Sequence, residues 1–599
     1  MMYRKRAWGR LIIVFCLILI PVSGCTGDGH GRYPRTVARM TELIDQEMGK
    51  NNVTGLSIAL VDGQDVVWAR GFGYADQENG IMATAETIYE IGSVSKTITA
   101  TAVMHAQDKG LLDIDHPLTE YVPGFSIMPP LGFPQQGNPI TLRTMLTHHS
   151  GIPGNLLNGA FTLQPRTDYT AWLLGYFPGD YGCFPPNFVH AYSNSAYSLL
   201  ADVIAAASGT NFEEFTDGMF ETMGMYHTSY FLHKPFLKEN RARGYLNGEP
   251  LEHFYNAKWG AGSVYSNVLD MARYIKMILG RGEGEVARVL RPETLDEMLT
   301  PQDLDIALDA VQWNRIGLAW GLSDPELEYA GKVIGHNGAT IGFCSHLELL
   351  PDQQLGVVVS SNSDQKNSLG VILKVGRETL KQVLREKTGR EPVAPSGPAY
   401  SPYTSRPQAE LQSLAGIYVT EGGYDIISVL PGALELQTSE GGETQKLLPL
   451  ENGRFAPAGS QSFQMEFAEI SGRAVMVEHS VYTHLRGDRY QPVPTPSVWQ
   501  DRRGTYEISN LYPDDSSRFT PEEVRAVSHT ADLAEEDGML VVKLTIQATP
   551  VWLVLEPFNE TVALIRGLGN DKGGAVVFVI ADGQEQLRLW GSLYKKIEQ

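Results

Sequence analysis

The sequence predicts an α+β domain followed by two small all-β, barrel-like domains, and three observations carry this prediction. Strand-like and helix-like segments are mixed over residues 38–388. Residues 389–408 then contain five prolines, which is typical of a stiff linker. Beyond it, over 409–491 and 497–599, short strand-like segments alternate with turn residues and helical periodicity is weak.

Within residues 38–388, strand-like segments lie near both ends. A predicted hairpin pairs Gly55–Asp62 with residues 66–71, and a second strand pair lies near 343–360. Helical patterns cover the segments 97–109, 195–208, 268–280 and 370–386. This order of strands and helices indicates helices that cover a largely antiparallel sheet.

The two β-rich segments look like divergent copies of one unit. The first opens with Leu414-Ala415-Gly416-Ile417-Tyr418 and closes with residues 485–490. The second opens with Arg503-Gly504-Thr505-Tyr506 and closes with residues 589–594. Each has the size of a small all-β barrel or sandwich.

The composition argues against nucleic-acid binding and is typical of a globular protein. The formal net charge is −21, with 20% charged and 43% hydrophobic residues. A stripe of Lys and Arg could not neutralise phosphates against so acidic a field. The acidity mainly favours solubility.

The N-terminus has the pattern of a lipoprotein-type signal peptide over residues 1–24. Basic residues up to Arg10 precede the apolar run 11–20, which is too short to span a bilayer. Val22-Ser23-Gly24-Cys25 resembles the bacterial lipobox, which implies cleavage before Cys25 and lipidation of its thiol. An ordinary signal peptide cleaved nearby is the alternative. We therefore expect an exported protein anchored by lipid to the extracytoplasmic face of a bacterial membrane.

Two cysteines, Cys183 and Cys344, remain outside the N-terminal segment. They could pair in an oxidising compartment, but two separate buried thiols are the favoured interpretation because the sequence gives no pair geometry. No His/Cys cluster with ligand spacing is present in the sequence, so neither a metal nor a cofactor is predicted.

The first chemical motif is Ser93-Val94-Ser95-Lys96, directly before the predicted helix 97–109. Residues three apart on a helix are neighbours, with Cβ atoms about 5–6 Å apart, so the lysine amine can lie beside the serine hydroxyl. The same spacing recurs at Ser363 and Ser592, and a plain helix N-cap is the alternative for Ser93. The small, apolar helix that follows indicates a buried site and favours the first copy.

A serine and a lysine also need a proton relay to cleave an acyl group. Tyr192-Ser193-Asn194 precedes the predicted helix 195–208 and offers a phenol to move a proton and an amide to hold the lysine. Tyr245-Leu246-Asn247 and Tyr265-Ser266-Asn267 compete with it, and helix capping explains the latter.

A third segment, Gly335-His336-Asn337-Gly338-Ala339, lies just before the strand that begins at residue 343. Glycine in such a strand permits close approach of a ligand. A structural role is the alternative for His336, because a second His-x-Gly occurs at His149-Ser150-Gly151.

Taken together, these segments resemble the serine β-lactamase and penicillin-binding protein superfamily, in particular its class C-like branch of β-lactamases, DD-peptidases, D-aminopeptidases and esterases. The resemblance covers about residues 38–385. Other segments typical of that branch are residues 146–153, residues 220–228 and Gly317-Leu318-Ala319-Trp320-Gly321.

The resemblance implies a role for each motif residue. Ser93 would be the acylated nucleophile, and Lys96 and Tyr192 would share the general-base and proton-return work. Asn194 would orient Lys96 and the substrate. The backbone N–H groups of Ser93 and Ala339 would form the oxyanion hole.

His336 and Gly338 would bind or orient the substrate, with His336 hydrogen-bonded to substrate or to Tyr192. Many members of the superfamily have Lys-Thr-Gly at this place, and a neutral imidazole is a weaker carboxylate anchor than an ammonium group. An efficient β-lactamase is therefore less expected. A literal Lys387-Thr388-Gly389 ends a charged helical stretch and is interpreted as a solvated helix end.

The predicted function is hydrolysis of a small peptide, amide or ester through an acyl-enzyme on Ser93. A peptidase of the D-aminopeptidase or DD-carboxypeptidase type is favoured, because a catalytic domain followed by two β-domains is similar in layout to bacterial D-aminopeptidases. An esterase or weak β-lactamase is the first alternative. A penicillin-binding surface sensor or scaffold without efficient turnover is the second. No oligomeric state is predicted.

Overall fold

The structure, a computed structural model, describes residues 32–597 apart from 135–138, 155, 157, 313, 440, 442–443, 511–528 and 547–548. The predicted signal segment 1–24 and Cys25 lie outside the described residues. None of the helices in the described part of the chain combines the length and the apolar character of a membrane-spanning helix.

The first domain is built on a six-stranded antiparallel sheet. Its strands and those of three small two-stranded sheets are, in chain order, β1 (Gly55–Asp62), β2 (Asp65–Asp76), β3 (Ile81–Met82), β4 (Tyr89–Glu90), β5 (Phe161–Thr162), β6 (Tyr245–Leu246), β7 (Glu249–Pro250), β8 (Tyr255–Asn256), β9 (Tyr265–Ser266), β10 (Ile334–Thr340), β11 (Phe343–Leu350) and β12 (Leu355–Ser361). The order across the main sheet is β10-β11-β12-β1-β2-β3, so the two ends of the domain's sequence meet in one sheet.

Helices cover both faces of this sheet. They are α1 (Pro34–Asn51), α2 (Ser95–Asp108), α3 (Leu118–Tyr121), α4 (Leu142–Leu146), α5 (Tyr169–Tyr176), α6 (Asn194–Ser208), α7 (Phe212–Met223), α8 (Phe236–Asn240), α9 (Val268–Leu279), α10 (Pro292–Met298) and α11 (Gln365–Thr388). Helices α1 and α11 pack together on one face, and α9 packs on the other. The predicted α+β class is therefore confirmed.

The sequence of strand β1 is almost continuously apolar because the strand lies between two helical layers. Ala59 and Val61 join the core that contains α2, α6 and α9, whereas Leu56, Ile58 and Leu60 join the core beneath α1 and α11. Successive side chains of a strand point to opposite faces, so a strand between two helical layers needs apolar residues on both.

Two closed eight-stranded antiparallel barrels follow, in which each strand pairs with the next and the last with the first. The first, entered by α12 (Gln408–Leu414), comprises β13 (Gly416–Thr420), β14 (Tyr424–Leu430), β15 (Ala433–Thr438), β16 (Gln445–Pro449), β17 (Phe455–Pro457), β18 (Gln464–Ile470), β19 (Arg473–His479) and β20 (Thr483–Tyr490). The second, entered by α13 (Ser497–Asp501), comprises β21 (Gly504–Ile508), β22 (Thr530–Glu536), β23 (Met539–Ile546), β24 (Thr549–Pro557), β25 (Val562–Ile565), β26 (Ala575–Ala581), β27 (Gln584–Leu589) and β28 (Ser592–Lys596). Both are barrels rather than sandwiches, which confirms the barrel-like prediction.

The barrels share a construction at their entrances that supports their interpretation as two copies. The Tyr418 hydroxyl donates to the Leu414 carbonyl at 2.9 Å, and the Tyr506 hydroxyl donates to the Arg502 carbonyl at 2.6 Å. In each case the hydroxyl of the first strand's tyrosine donates a hydrogen bond to the carbonyl of the residue four positions earlier. The entry helices also bury Leu411 and Trp499 in the barrel cores.

Candidate active site

Ser93 lies in a single 3₁₀ turn, Gly92–Val94, that leads directly into α2. Gly92 has φ +53°, and a Cβ on it would lie 2.7 Å from the Ala339 nitrogen. Positive φ and this close approach both favour glycine. The turn therefore places Ser93 beside β10, the strand that carries the third motif.

Lys96 follows in the first turn of α2 and is completely buried. Its Nζ lies 3.2 Å from Ser93 Oγ, and it donates to Asn194 Oδ1 at 2.8 Å and to the Ala261 carbonyl at 2.7 Å. A neutral amine has two hydrogens and one lone pair. With its hydrogens on Asn194 and Ala261, its lone pair can accept the Ser93 hydroxyl proton.

Burial decides the charge state of Lys96. Desolvation, helped by the nearby Lys258 ammonium group, lowers the pKa of Lys96 well below its ordinary value of 10.5. Loss of water disfavours the charged form of an amine. The Lys96 side chain is thus suited to accept a proton rather than to hold an anion.

Tyr192 and Asn194 stand at the beginning of α6, where Ser193 is the N-cap and its Oγ accepts from the Ala196 N–H at 3.0 Å. The Lys96 nitrogen lies 4.7 Å from the centre of the Tyr192 ring. Burial raises the pKa of Tyr192 above its usual value, although a hydrogen bond with Ser93 opposes this shift. The phenol therefore stays protonated, which favours Lys96 as the base and Tyr192 as the proton carrier.

Strand β10 carries His336, Gly338 and Ala339 past the serine. His336 Nδ1 donates to the Asn337 carbonyl at 2.6 Å, so its Nε2 is left as an acceptor. Burial, with a contribution from Lys96, lowers the pKa of His336 to about 4. The imidazole is therefore neutral at pH 7, as expected for a weak carboxylate anchor.

His148 is a site residue for which the sequence reasoning assigned no role. Its Nδ1 accepts from the Ser193 N–H at 3.0 Å, and its ring centre lies 4.1 Å from that of Tyr192. His148 also adopts φ +62°, which is unusual for a residue with a side chain. His148 belongs to residues 146–153, a segment that the sequence indicated as typical of the class C-like branch. The contact of His148 with Tyr192 depends on the tertiary fold.

Most of the residues described above, but not Lys96 or Asn194, line a cleft of ≈ 660 Å³. The predicted residues on its wall are Ser93, Tyr192, His336, Gly338 and Ala339. The cleft is also lined by residues that the sequence did not indicate, including Asp324, Glu348, Arg377 and Tyr482. Tyr482 lies between β19 and β20, so the first barrel contributes to the cleft.

The competing motifs have structural roles. Asn267 caps α9 by accepting from the Asp270 N–H at 2.8 Å, and the Tyr265 hydroxyl donates to buried Glu90 at 3.3 Å. Lys387 lies in the last turn of α11 and pairs with Asp62 at 2.6 Å. The helix-capping and helix-end interpretations are confirmed.

Cys183 and Cys344 are both buried and free, as favoured. Among the described residues, no group of three or more His, Cys, Asp or Glu side chains could hold a metal ion.

The comparisons with known proteins agree with this geometry. A family model described as Beta-lactamase matches residues 40–376. This chain belongs to the beta-lactamase family. The prediction of the serine β-lactamase and penicillin-binding protein superfamily is thereby confirmed, and members of this superfamily are serine hydrolases.

Relatives in the beta-lactamase family are distant. The human mitochondrial serine beta-lactamase-like protein LACTB is 23% identical over 410 residues, which cover 54% of this chain and 73% of the relative. Penicillin-binding protein 4 of Amycolatopsis lactamdurans is 27% identical, covering 64% of this chain and 98% of the relative. The D-alanyl-D-alanine-carboxypeptidase/endopeptidase AmpH of Escherichia coli K12 is 26% identical, covering 52% of this chain and 79% of the relative.

Two solved structures share the fold over about three quarters of the chain. The octameric penicillin-binding protein homologue from Pyrococcus abyssi matches with TM-score 0.51 and 24% identity, covering 76% of this chain and 99% of that chain. SurE with D-Leu matches with TM-score 0.51 and 19% identity, covering 75% of this chain and 99% of that chain.

Proposed function

We propose that this beta-lactamase family member is an exported, lipid-anchored serine peptidase of the D-aminopeptidase or DD-carboxypeptidase type. One observation carries the proposal: Lys96 Nζ is 3.2 Å from Ser93 Oγ while Asn194 and Ala261 occupy its hydrogens. This arrangement provides a nucleophile with a buried base beside it.

The reaction begins when Lys96 accepts the Ser93 hydroxyl proton and Ser93 Oγ attacks the substrate carbonyl. The backbone N–H groups of Ser93 and Ala339 stabilise the oxyanion, each by about 3–4 kcal/mol where such donors have been removed elsewhere. Tyr192 carries the proton from Lys96 to the leaving nitrogen, and the acyl-enzyme forms. Water then attacks the ester carbonyl of acylated Ser93. Lys96 and Tyr192 move the protons in the reverse direction, from the water to Ser93 Oγ.

The charge of the cleft supports substrates that do not depend on a carboxylate anchor. Among the described lining residues, Arg377 is the one Lys or Arg side chain. It donates to Asp324 at 2.6 Å and to Glu326 at 3.2 Å, so its charge is already paired. Since His336 is neutral as well, the aminopeptidase side of the proposal is favoured over β-lactams, which carry a carboxylate.

Peptide substrates are supported by the AmpH relative, which is described as a D-alanyl-D-alanine-carboxypeptidase/endopeptidase. The test uses D-amino-acid p-nitroanilides, a peptide ending in D-Ala-D-Ala, p-nitrophenyl esters and a fluorescent penicillin. We expect turnover of the anilide and loss of that turnover in Ser93→Ala.

Each other outcome has a defined meaning. Faster turnover of D-Ala-D-Ala peptides selects the carboxypeptidase, and turnover of esters alone selects the esterase. Persistent penicillin labelling without turnover selects the surface sensor. Full anilide or ester hydrolysis by Ser93→Ala would refute the acyl-enzyme assignment.

A further inference from the structure

The segment that carries Tyr192 is held by the second barrel. The Tyr192 backbone N–H donates to Asn570 Oδ1 at 2.7 Å. The same Asn570 side chain donates from Nδ2 to Glu421 Oε1, in the turn between β13 and β14 of the first barrel, at 2.8 Å. One amide group therefore links the catalytic domain to both barrels, at the residue proposed to carry the proton.

A shared hydrophobic cluster lies around this link. The catalytic domain contributes Cys183, Phe184, Val189, Ala191 and Leu308, the first barrel Val475 and Val477, and the second barrel Leu568. Buried apolar contact of this kind holds domains in one fixed relation more firmly than a lone hydrogen bond can. The position of Asn570 relative to Tyr192 is thus set by packing.

The loop that presents Asn570, residues 567–574 between β25 and β26, has an unusual backbone. Gly567, Gly569, Asp571 and Gly573 have φ values of +112°, +90°, +60° and +77°. A Cβ on Gly573 would lie 2.2 Å from the Cys183 carbonyl oxygen. Such alternating positive φ values cost conformational free energy, and the loop shape brings its main chain against residue 183.

The main chain around Tyr192 is fixed on the other side as well. The next N–H, that of Ser193, donates to His148 Nδ1 at 3.0 Å. A Cβ on Gly154 would lie 2.2 Å from the Tyr192 carbonyl oxygen. The backbone N–H of Tyr192 itself has Asn570 as its acceptor.

We propose that Asn570 is a positioning residue for Tyr192, which makes the second barrel part of the catalytic apparatus. Asn570 acts on the tyrosine main chain, and through it on the distance between the phenol and Ser93. This proposal rests on the proposed function, because it concerns delivery of the proton to the leaving group.

Proton delivery gives the test a specific signature. An anilide leaves only when its nitrogen is protonated, whereas p-nitrophenolate leaves as a stable anion. Two substrates with the same acyl group and these two leaving groups therefore differ in their need for Tyr192. For Asn570→Ala we expect kcat/KM, which reports formation of the acyl-enzyme, to fall by about 10-fold or more for the anilide and by less than about 3-fold for the ester.

A double variant at positions 570 and 421 tests whether the lost anilide activity can be restored. Asn570→Asp keeps the acceptor for Tyr192 but places a carboxylate against Glu421, and Glu421→Gln then restores a donor at that place. The double variant is expected to recover most of the anilide activity that Asn570→Asp alone loses. Asn559→Ala is the control, since Asn559 lies in the second barrel and caps the Val562 N–H at 2.8 Å.

The results distinguish failure of the Asn570 proposal from failure of the proposed function. If Asn570→Ala slows the anilide and the ester equally, in step with a lowered melting temperature, or slows neither, Asn570 is only a structural clamp and the proposal is wrong. If the wild type labels with fluorescent penicillin but does not turn over, the labelling rate replaces kcat/KM, because ring opening also needs a proton on nitrogen. A wild type that neither labels nor turns over refutes the proposed function itself.

Discussion

A β-carbon on Gly338 would lie 2.9 Å from the backbone nitrogen of Ser93 and 2.1 Å from the Ile91 carbonyl oxygen. Strand β10 and the turn that carries Ser93 are therefore in direct main-chain contact. The motif His336-Asn337-Gly338 needs its glycine for this reason, independently of any contact with substrate.

Gly338→Ala should accordingly separate β10 from Ser93. We expect at least about a 100-fold loss of kcat/KM, because the oxyanion donors move apart, and destabilisation of about 1–3 kcal/mol from the overpacked strand. Gly370→Ala is the control, since no heavy atom lies within 4 Å of a Cβ at that helical position. It should raise stability by about 0.5–1 kcal/mol and leave turnover unchanged. Equal activity of the two variants would contradict the close approach.

Replacement of Lys96 should change how stability depends on pH. The pKa of Lys96 is lowered in the folded state, so the unfolded chain binds a proton that the folded protein does not, at pH values between that lowered pKa and 10.5. Wild-type stability should therefore fall as the pH falls through this window, by up to about 1.4 kcal/mol per pH unit. Lys96→Met lacks this contribution.

The measurement is urea unfolding of wild type and Lys96→Met at several pH values, with the two curves subtracted so that other titrating groups cancel. A difference that does not vary with pH would show that Lys96 stays charged when folded. Lys96→Met should also lose turnover by several orders of magnitude, because no base remains beside Ser93.

The two Tyr-x-Asn motifs should respond differently to loss of a hydroxyl group. Tyr192→Phe is expected to lower kcat for the anilide by about 10²–10⁴-fold, the usual range for a lost proton-transfer group. Tyr265→Phe removes a hydrogen bond to buried Glu90 and should cost about 1 kcal/mol of stability without changing the rate. Similar rate losses in both variants would mean that the wrong tyrosine carries the proton.

Membrane attachment is tested at Cys25. Cys25→Ser should move the protein from the membrane fraction to the soluble fraction, because no thiol is left to accept the lipid. Cys16→Ser, in the apolar run of the same segment, should leave the protein in the membrane fraction. Membrane association of Cys25→Ser would refute the lipoprotein prediction.

Local sequence was enough to predict which residues meet in much of the candidate active site. Ser93 and Lys96 are neighbours through helical spacing alone, and helix capping distinguishes the triplet at 265–267 from Tyr192-Ser193-Asn194. The closed barrels were predictable as β-rich units with matching openings. Whether each would close or pack as a sandwich depends on pairing of its first and last strands, which the openings alone do not determine.

The remaining contacts join residues far apart in the chain. His148 contacts Tyr192 and itself has a positive φ. Tyr482 lies at the tip of a hairpin in another domain and lines the cleft. The α1 helix, Pro34–Asn51, was not predicted either. It packs on α11, more than 300 residues later in the chain, where Glu386 accepts from the Thr36 N–H at 2.8 Å.

The hydrogen bond between Tyr192 and Asn570 joins residues 378 positions apart, and this separation has a consequence for biosynthesis. During translation the catalytic domain emerges long before the loop that holds its tyrosine. A chain that has folded through residue 388 has its serine and lysine in place but lacks the acceptor for Tyr192. Under the proposed role of Asn570, full activity would arise only late in biogenesis, after both barrels have been made and have docked.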